Sequence, residues 1–308
     1  RDRSRHSWLS RSSDLEMKVI VSFSGGKDSQ ACLIQACKEF GAKNIEAVFC
    51  DTEWEHEDTY RHVHNVVDQL GVKLITLKNK NGGFESLCKR MKWFPDTQKR
   101  NCTVQLKIQP MIDYILTHDD DLTIIQGIRA AESASRSKLP CSADYFAEYF
   151  TNNDKSLYRK TDVKNWCKNH QAIVSRPMLG MSAQEIIDFI LDNGQQPNPL
   201  YRRGCSRVGC YPCIFARLLE VKVMRKDEKY IKRVNDLEDA INSQRNKGAE
   251  ASLFPKGKIP ERFCKKYGCG IPSFEDVIAY VSRDDAQLDL FEPEQGYSCM
   301  SIYHGLCE

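Results

Sequence analysis

The sequence predicts an α/β protein with a doubly wound, mostly parallel sheet and a smaller, mainly helical, cysteine-rich C-terminal region. In the first half, short apolar segments of strand length alternate with segments of helix length, which is typical of parallel strands joined by crossover helices. A pair of glycines directly follows the first apolar segment, where such a strand turns into a helix. Near residue 200, prolines and cysteines replace this alternation, which indicates a change of region.

Each predicted strand is a short, mainly apolar run, and the first two predicted helices end at a glycine. Strands are predicted at Lys18–Phe23, Ile45–Cys50, Lys73–Leu77 and Leu122–Gly127. Helices are predicted at Gln30–Phe40, Glu57–Leu70, Lys107–Leu116 and, as one long charged helix, about Leu218–Gln244.

Composition predicts three segments along the chain. Residues 1–16 are basic, serine-rich and aperiodic, and we interpret them as a leader or cloning remnant outside the fold. Residues 17–199 would form the α/β domain, whose last helix is opened by a capping box at Ser182 and Glu185 and closed by Gly194. Residues 200–308 would form the cysteine-rich, helical region.

The bulk composition excludes several classes of protein. Of the 308 residues, 41% are hydrophobic, and no apolar run approaches the roughly 20 residues of a membrane helix. The net charge of +3 is too small to predict nucleic-acid binding by itself. Fourteen cysteines without an apolar export signal predict a cytoplasmic protein with reduced thiols, some of them metal ligands, rather than a disulfide framework.

The glycine-rich segment Ser24–Ser29, SGGKDS, has the composition of a phosphate-binding loop. Glycines let backbone N–H groups approach phosphate oxygens, and the following helix offers the partial positive charge of its N-terminus. Lys27 would neutralise a phosphate, and Asp28 would hold Mg²⁺. The spacing differs from G-x-x-x-x-G-K-[ST], so the loop belongs to another class of nucleotide-binding protein.

Three cysteines follow residue 200 with the spacing C-x₄-C-x₂-C, namely Cys205, Cys210 and Cys213. Thiolates at this spacing converge on one metal or cluster without long closing loops. A fourth ligand is needed, and Cys102 is the leading candidate. Both an iron–sulfur cluster and zinc are compatible with four thiolates.

Together, five segments resemble the phosphoadenosine phosphosulfate (PAPS) reductase-like branch of the N-type ATP pyrophosphatases, which are PP-loop, adenine nucleotide alpha hydrolase-like proteins. The segments occur in the family's order and cover about residues 17–215. They are Ser24–Ser29, Phe49–Tyr60, Arg100–Met111, Gln126–Arg136 and Asn198–Cys213.

The resemblance implies an ATP-binding enzyme that cleaves the α–β bond of ATP, adenylylates an acceptor and releases pyrophosphate in a sulfur-transfer reaction. Assimilatory reductases carry a degenerate loop and a terminal Glu-Cys-Gly-(Ile/Leu)-His motif, whereas this chain has an intact loop and ends in SCMSIYHGLCE. Two alternatives stay open: a thiol-dependent PAPS or APS reductase that makes sulfite, and a catalytically silent, nucleotide-sensing subunit of a larger assembly.

The resemblance also implies roles for individual residues. Lys27, Asp28 and Arg129 would be catalytic, with Cys307 as the nucleophile if thiol chemistry occurs. Cys102, Cys205, Cys210 and Cys213 would hold a [4Fe–4S] cluster, with zinc as the alternative. The expected ATP-binding residues are Ser24, Gly25, Gly26, Lys27, Asp28, Ser29, Asp51, Thr52, Glu53, Gly127, Arg129, Glu132 and Arg136.

The expected partners are ATP or adenylylated sulfate, and a sulfur-donor or thioredoxin-like protein; an oligomer is compatible with the sequence, and a membrane is not expected. A nucleic acid is a candidate acceptor, because basic and aromatic residues alternate at 89–100 before Cys102. The polar insertion Ser137–His170 would cover the site and select the substrate. His56, His62 and His64 are predicted on a helix surface, and Cys32 and Cys37 in the core.

Overall fold

The structure, a computed structural model, describes residues 18–147, 157–245, 248 and 250–283. The strands in this part are β1 (Lys18–Ser22), β2 (Ile45–Cys50), β3 (Lys73–Leu77), β4 (Leu122–Gln126), β5 (Ser142–Asp144) and β6 (Ala172–Ser175). These six described strands form one sheet in the order β3-β2-β1-β4-β6-β5. All neighbours are parallel except β5 and β6.

Helices connect the strands and build most of the described C-terminal region. They are α1 (Lys27–Phe40), α2 (Glu57–Leu70), α3 (Phe84–Met91), α4 (Asn101–Thr103), α5 (Gln109–Ile115), α6 (Lys160–Trp166), α7 (Ala183–Asp192), α8 (Pro199–Arg202), α9 (Leu218–Met224), α10 (Glu228–Asn242) and α11 (Phe274–Val281). In the described residues, no helix combines the length and the apolar character needed to cross a membrane.

The strand order reverses between β1 and β4, which creates a crevice at their carboxyl ends. β2 and β3 lie on one side of β1, whereas β4 and β6 lie on its other side. Ser22, the last residue of β1, pairs with Gln126, the last residue of β4, so the following segments leave the sheet side by side. Open parallel sheets bind ligands at this point. The predicted α/β, doubly wound class is confirmed.

Side-chain alternation along the strands divides the core of the sheet into two layers. Val19 and Val21 of β1 pack with residues of α1, α2 and α7, whereas Ile20 packs with residues of α5 and α6 on the other face. A third cluster joins α9, α10 and α11 to α3 and to Trp54, in the loop after β2. The cysteine-rich region is therefore held against the loops at the carboxyl edge of the sheet.

The prediction of one long helix at about Leu218–Gln244 is wrong, because a short non-helical segment separates α9 from α10. Asp227 lies in this segment, where its Oδ2 accepts hydrogen bonds from Arg203 Nη2 at 2.5 Å and from Tyr211 Oη at 2.6 Å. These contacts come from distant parts of the sequence, so helical periodicity alone could not reveal them. Apolar residues of both helices pack in the third cluster.

Helical backbone also begins earlier than predicted at residues 107–116. It runs through α4, a π-helical turn at Val104–Ile108 and α5. A π turn accommodates an inserted residue within an α-helix and is frequent at functional sites. The prediction did not include α3 or the short strands β5 and β6, and the polar insertion at 137–170 contains β5 and α6 in its described part.

Two of the three histidines predicted on a helix surface are buried, so that prediction is wrong for them. His56 and His62 expose 6% and 7% of their surface, whereas His64 is exposed. The Asp58 amide donates to His56 Nδ1 at 2.9 Å, which caps α2, and His62 Nε2 lies 3.1 Å from Gln30 Oε1. These contacts replace the hydrogen bonds that the buried ring nitrogens would otherwise make to water.

Of the two α1 cysteines predicted in the core, Cys32 lies within it and Cys37 lies at its margin. Cys32 is fully buried in the layer formed by α1, α2 and α7, and Cys37 packs against that layer. Both cysteines pack as small apolar residues.

Candidate active site

The loop between β1 and α1 is a tight turn that its own serines hold in shape. Gly25 has φ +80°, and a Cβ at this position would lie 2.9 Å from Val63 Cγ2, so glycine is required. Ser24 Oγ and Ser29 Oγ lie 3.1 Å apart, and Ser29 Oγ donates to the Gly26 carbonyl at 3.0 Å. The turn leads into the N-terminus of a 14-residue helix, whose dipole favours an anion.

Three charged residues that were predicted to be catalytic meet beside this loop. Lys27 Nζ donates to Asp28 Oδ2 at 2.9 Å, and Arg129 Nε donates to Asp28 Oδ1 at 2.5 Å. The three side chains are at most 9% exposed. Charge-assisted hydrogen bonds of this kind are strong and directional. One carboxylate therefore orients two cations at the phosphate loop.

Gly127 brings the end of β4 into contact with the start of α1. A Cβ on Gly127 would lie 2.4 Å from Ser29 N and 2.6 Å from the Asp28 carbonyl carbon. Both are backbone atoms, which cannot move aside as the tip of a flexible side chain can. A larger residue would therefore separate the turn after β4, which carries Arg129, from the phosphate loop.

Glu132 and Arg136 contact the turn that carries Arg129. The Arg129 amide donates to Glu132 Oε2 at 3.0 Å, and the Arg136 guanidinium forms an ion pair with the same carboxylate. Arg136 is only 3% exposed. These contacts support the conformation of the Arg129 turn from behind.

The acidic residues after β2 engage neighbours at the edge of the crevice. Asp51 accepts from Tyr60 Oη at 2.7 Å and pairs with Lys78 at 3.1 Å. Burial raises the pKa of Asp51, but these contacts outweigh burial and hold it below its usual range. Glu53 accepts from Lys78 at 3.1 Å and from the Gly83 amide at 2.9 Å.

A cavity of about 540 Å³, counted with its open mouth, lies at the carboxyl ends of β1, β2 and β4. Ser24, Ser29 and Gly127 line it, as expected of nucleotide-binding residues. Among the described lining residues, Glu55 is the one acid and Lys107 the one base. The remaining lining residues are Ser22, Phe23, Val48, Phe49, Cys50, Gln126, Ile128 and Gly209.

Sequence patterns did not single out Glu55 or Lys107. Burial raises the pKa of the Glu55 carboxyl group, while Lys107 acts in the opposite direction. Lys107 lies in the π turn between α4 and α5, and its position in the site depends on that turn. In the acid-rich segment at 49–60, no local pattern distinguishes Glu55 from its neighbours.

The segment that precedes the cysteine loop braces the phosphate loop, which the sequence also did not reveal. Tyr201 Oη accepts from the Lys27 amide at 3.0 Å, and Asn198 Nδ2 donates to the Gly25 carbonyl at 3.3 Å. Asn198 is fully buried, and its Oδ1 accepts from the Leu200 amide at 3.0 Å. The short helix α8 is thereby fixed to the loop.

The four predicted metal ligands line a second cavity, of about 790 Å³ with its mouth. Cys102 comes from α4, and Cys205, Cys210 and Cys213 come from the loop between α8 and α9. Burial raises the pKa of Cys205 to about 12 and also that of Cys210. Across the described residues, no three His, Cys, Asp or Glu side chains are gathered as a metal site. The cysteines share a cavity without converging on one point.

The two cavities meet at a common wall. Lys107 and Gly209 line both of them. Thr52 Oγ1 donates to Glu55 Oε1 at 2.6 Å and lies 3.5 Å from Cys210 Sγ. Glu55 and Cys210 also form an antiparallel backbone bridge. The residues predicted for the nucleotide and for the metal are therefore neighbours.

Some predicted features lie elsewhere or outside the described residues. Cys307 and the segment 1–16 are outside the described residues. Two further cysteines lie outside the second cavity: Cys264 is buried in the third cluster, whereas Cys269 is exposed.

The basic and aromatic stretch at 89–100 does not form one continuous surface. Phe94 and Arg100 are buried, and the Arg245 guanidinium covers Trp93 with its carbon 4.3 Å from the ring centre. The exposed members of the stretch are Lys89, Arg90, Lys92 and Lys99.

The protein-family model described as phosphoadenosine phosphosulfate reductase domain matches residues 18–216. The match includes the sheet, the phosphate loop and the cysteine loop. The chain belongs to this family. Family membership supports a nucleotide-utilising enzyme, with substrates of the nucleotide or sulfate type.

Three proteins with similar sequences align with different shares of this chain. An uncharacterised 37.8 kDa protein of Escherichia phage 186 is 29% identical, and the alignment covers 94% of this chain and 96% of the phage protein. Two uncharacterised proteins of Methanocaldococcus jannaschii are 28% and 29% identical over 69% and 72% of this chain. The chain spans only 39% and 47% of those two archaeal proteins.

Solved structures with a similar arrangement include two yeast enzymes. Phosphoadenylyl-sulfate reductase from Candida auris is 16% identical, with a TM-score of 0.44, over 63% of this chain and 81% of its own. FMN adenylyltransferase from Candida glabrata is 15% identical, with a TM-score of 0.41, over 63% of this chain and 53% of its own.

Proposed function

We propose that the protein binds ATP at the β1–α1 loop, cleaves the α–β bond with release of pyrophosphate, and uses the adenylylated acceptor in a sulfur-transfer reaction. The observation that carries this proposal is the buried trio of Lys27, Asp28 and Arg129 beside a glycine turn at a helix N-terminus. Family membership and the position of the loop at the strand reversal support it.

The cavity offers separate surroundings to the two ends of a nucleotide. The serine hydroxyls and helix amides of the loop would bind the phosphates. Phe23, Phe49 and Ile128 provide an apolar section of the wall against which an adenine ring would pack.

The proposed reaction forms a bond between an acceptor oxygen and the α-phosphorus and breaks the bond from that phosphorus to the bridging oxygen. The electron pair of the broken bond leaves with pyrophosphate, so negative charge develops on the leaving group. Lys27 and Arg129 would stabilise this charge, because Asp28 already holds both cations in place and little reorganisation is needed.

The expected magnesium ion does not fit Asp28 as the residue is arranged. Each oxygen of the Asp28 carboxylate already accepts a hydrogen bond from a cation. A magnesium ligand would require Lys27 or Arg129 to leave its partner. We therefore assign Asp28 to the orientation of these two cations and derive no step from a metal bound to it.

The second cavity is the proposed place of the metal centre. The four thiols that line it are soft donors of the type that a [4Fe–4S] cluster or zinc binds, and they would have to converge further to hold either group. A cluster bound there would supply redox-active iron beside the nucleotide cavity. The residues of the chain itself would enclose it: Thr52 contacts Cys210, and Lys107 faces both cavities.

Cleavage of α-labelled ATP tests the proposed function. Purified protein should release pyrophosphate with water, bulk tRNA or sheared DNA supplied in turn as acceptor. The α-label should appear as free AMP with water, and on the nucleic acid with tRNA or DNA until an added sulfide donor displaces AMP. We expect Lys27→Ala and Arg129→Ala to lower the rate by about 100-fold or more, as for other preorganised charge-stabilising groups. Lys43→Ala, which removes an exposed lysine beyond the C-terminal end of α1, should retain the wild-type rate.

Other outcomes would contradict this function and identify an alternative. ATP binding without release of pyrophosphate under every condition would favour a nucleotide-sensing subunit. Sulfite formation from PAPS and thioredoxin would favour a reductase, and its loss in Cys307→Ala would assign the nucleophile.

A further inference from the structure

The hydroxyl of Tyr201 occupies a position where the phosphate loop would otherwise bind an oxygen of its ligand. Tyr201 lies in α8, and its Oη accepts a hydrogen bond from the Lys27 amide at 3.0 Å. Lys27 is the first residue of α1, and N–H groups in the first turn of a helix have no acceptor within the helix. Because such groups bind anions at helix N-termini, the hydroxyl oxygen takes the place of a phosphate oxygen.

Two further amides of the loop donate to the loop's own serines. The Ser24 amide donates to Ser29 Oγ at 3.2 Å, and the Gly26 amide donates to Ser24 Oγ at 3.4 Å. A serine hydroxyl can rotate and donate to a phosphate instead. Tyr201, in contrast, belongs to a separate segment, so its hydroxyl leaves the Lys27 amide only if the tyrosine side chain or α8 moves.

Tyr201 also contacts the side chain of Lys27, which the nucleotide cavity does not reach. Lys27 Nζ lies 5.4 Å from the centre of the Tyr201 ring, and the Lys27 side chain is 9% exposed. Ser24 and Ser29 line the nucleotide cavity, whereas Lys27 is not among the described residues that line it. The cavity therefore ends at the serines of the loop, and Tyr201 contacts both the amide and the ammonium group beyond them.

The surroundings of Tyr201 allow its side chain to move while α8 stays in place. Asn198 is fully buried and fixes the start of α8, since it contacts both the Gly25 carbonyl and the Leu200 amide. The Gly204 amide donates to the Tyr201 carbonyl at 3.1 Å, which holds the backbone after it. The Tyr201 side chain, in contrast, is only half-buried. Rotation of this side chain would release the Lys27 amide without unfolding α8.

We propose that Tyr201 is an internal competitor of the ligand at the phosphate loop. Without a ligand, its hydroxyl satisfies the Lys27 amide and keeps the loop in shape. The phosphates of a nucleotide displace this hydroxyl and then bind the same amide. This inference depends on the proposed function, because it requires phosphate binding at the loop.

The substitution Tyr201→Phe tests the proposal, because it removes the hydroxyl and keeps the ring that packs against Lys27. The ligands are inorganic pyrophosphate and the α,β-methylene analogue of ATP, whose α–β link resists cleavage, and the measurement is calorimetric titration. Tyr201→Phe should bind each ligand about threefold to tenfold more tightly than wild type, since the ligand no longer replaces a hydrogen bond of ordinary net strength. Loss of a merely structural contact would not tighten binding.

Tyr158→Phe is the matched control. It removes a hydroxyl that donates to Asp113 at 2.8 Å, in the layer on the opposite face of the sheet from α1. This variant should keep the wild-type affinity for both ligands.

Weaker binding by Tyr201→Phe would overturn the proposal and identify the hydroxyl as a group that binds the ligand. Equal affinity would overturn it as well, because the phosphates would then not use the Lys27 amide. If Tyr201→Phe does not fold, wild-type protein labelled with ¹⁵N-lysine decides the question. Pyrophosphate should shift the Lys27 amide resonance, assigned by its loss in Lys27→Arg, and a resonance that does not shift while pyrophosphate binds would refute the proposal.

Failure of this inference and failure of the proposed function give different results. Cleavage of ATP by wild-type protein without a gain of affinity in Tyr201→Phe would refute the role of Tyr201 alone. Absence of binding by either ligand to wild-type protein would refute the phosphate site, and with it both the proposed function and the role of Tyr201.

Discussion

Gly127 sets the approach of β4 to α1, and this sets where Arg129 lies relative to the phosphate loop. Arg129 follows Gly127 by two residues, and its guanidinium reaches Asp28 at 2.5 Å. The backbone of Ser29 lies where a side chain on Gly127 would begin. The geometry of the cations therefore depends on the absence of one Cβ.

Replacing Gly127 by alanine should weaken ATP binding and lower the free energy of unfolding by about 1–3 kcal/mol, the usual range for overpacking. The added methyl group must push the β4 turn away from α1, which displaces Arg129. Denaturant unfolding and calorimetry with ATP measure the two effects. Gly180→Ala is the matched control, because a Cβ there has no neighbour within 4 Å. A Gly127→Ala protein that unfolds and binds like wild type would refute this role of the glycine.

At the scale of the elements, Glu46 of β2 connects three neighbours across the sheet. It accepts from Lys73 of β3 at 2.8 Å and from Tyr114 of α5 at 2.5 Å, and it pairs with Lys18 of β1 at 3.1 Å. Burial opposes ionisation of Glu46, but these partners outweigh it and lower its pKa to about 2 from 4.5. The ionised carboxylate is therefore the form that stabilises the fold.

Stability from Glu46 should be present at neutral pH and disappear on acidification. A folded-state pKa below the unfolded value means that the unfolded chain takes up the proton first, so the contribution is lost as the pH falls from about 4.5 to about 2. Glu46→Gln should therefore be less stable than wild type at pH about 7, with the difference shrinking toward pH about 3. Urea unfolding at several pH values tests this. A difference that does not change with pH would show that the ionised form is not responsible.

The elements that local patterns define were predictable, and those that distant contacts define were not. Apolar runs revealed β1 to β4, and the glycines after α1 and α2 fixed where those helices end. The strands β5 and β6 are too short for a clear pattern. The helical pattern at 218–244 is interrupted near Asp227, which accepts hydrogen bonds from Arg203 and Tyr211. These two residues approach Asp227 only in the folded chain.

The candidate site also has a part that the local sequence predicts and a part that depends on distant contacts. The phosphate loop is contiguous in sequence, so its composition alone indicates a function. Glu55, Lys107 and Tyr201 come from three separate segments, and their place at the site follows from the docking of the cysteine loop and from the π turn. A single sequence carries no local signal for such an assembly.

At the scale of the whole molecule, the cysteine-rich region completes the carboxyl edge of the sheet. α8 is fixed to the phosphate loop, and the cysteine loop pairs with the segment after β2. The C-terminal helices pack on α3 and Trp54 through a common apolar cluster. A substitution that displaces the cysteine loop should therefore change the shape of both cavities.

Metal analysis after anaerobic purification tests the role of the second cavity. Wild-type protein should carry iron with the absorbance of an iron–sulfur cluster, or else zinc in stoichiometric amount, because four thiolates suit either. Cys210→Ala and Cys102→Ala should lose the metal, since each removes one of four donors. Cys269→Ala, which alters an exposed cysteine outside this cavity, should keep it. Wild-type protein without iron or zinc would refute the metal centre.

The wall formed by Lys107 and Gly209 is only one layer of residues thick. In the proposed reaction, a group activated in the nucleotide cavity would therefore lie beside the cavity of the four cysteines. Both steps of that reaction would then need one binding event of the acceptor rather than two.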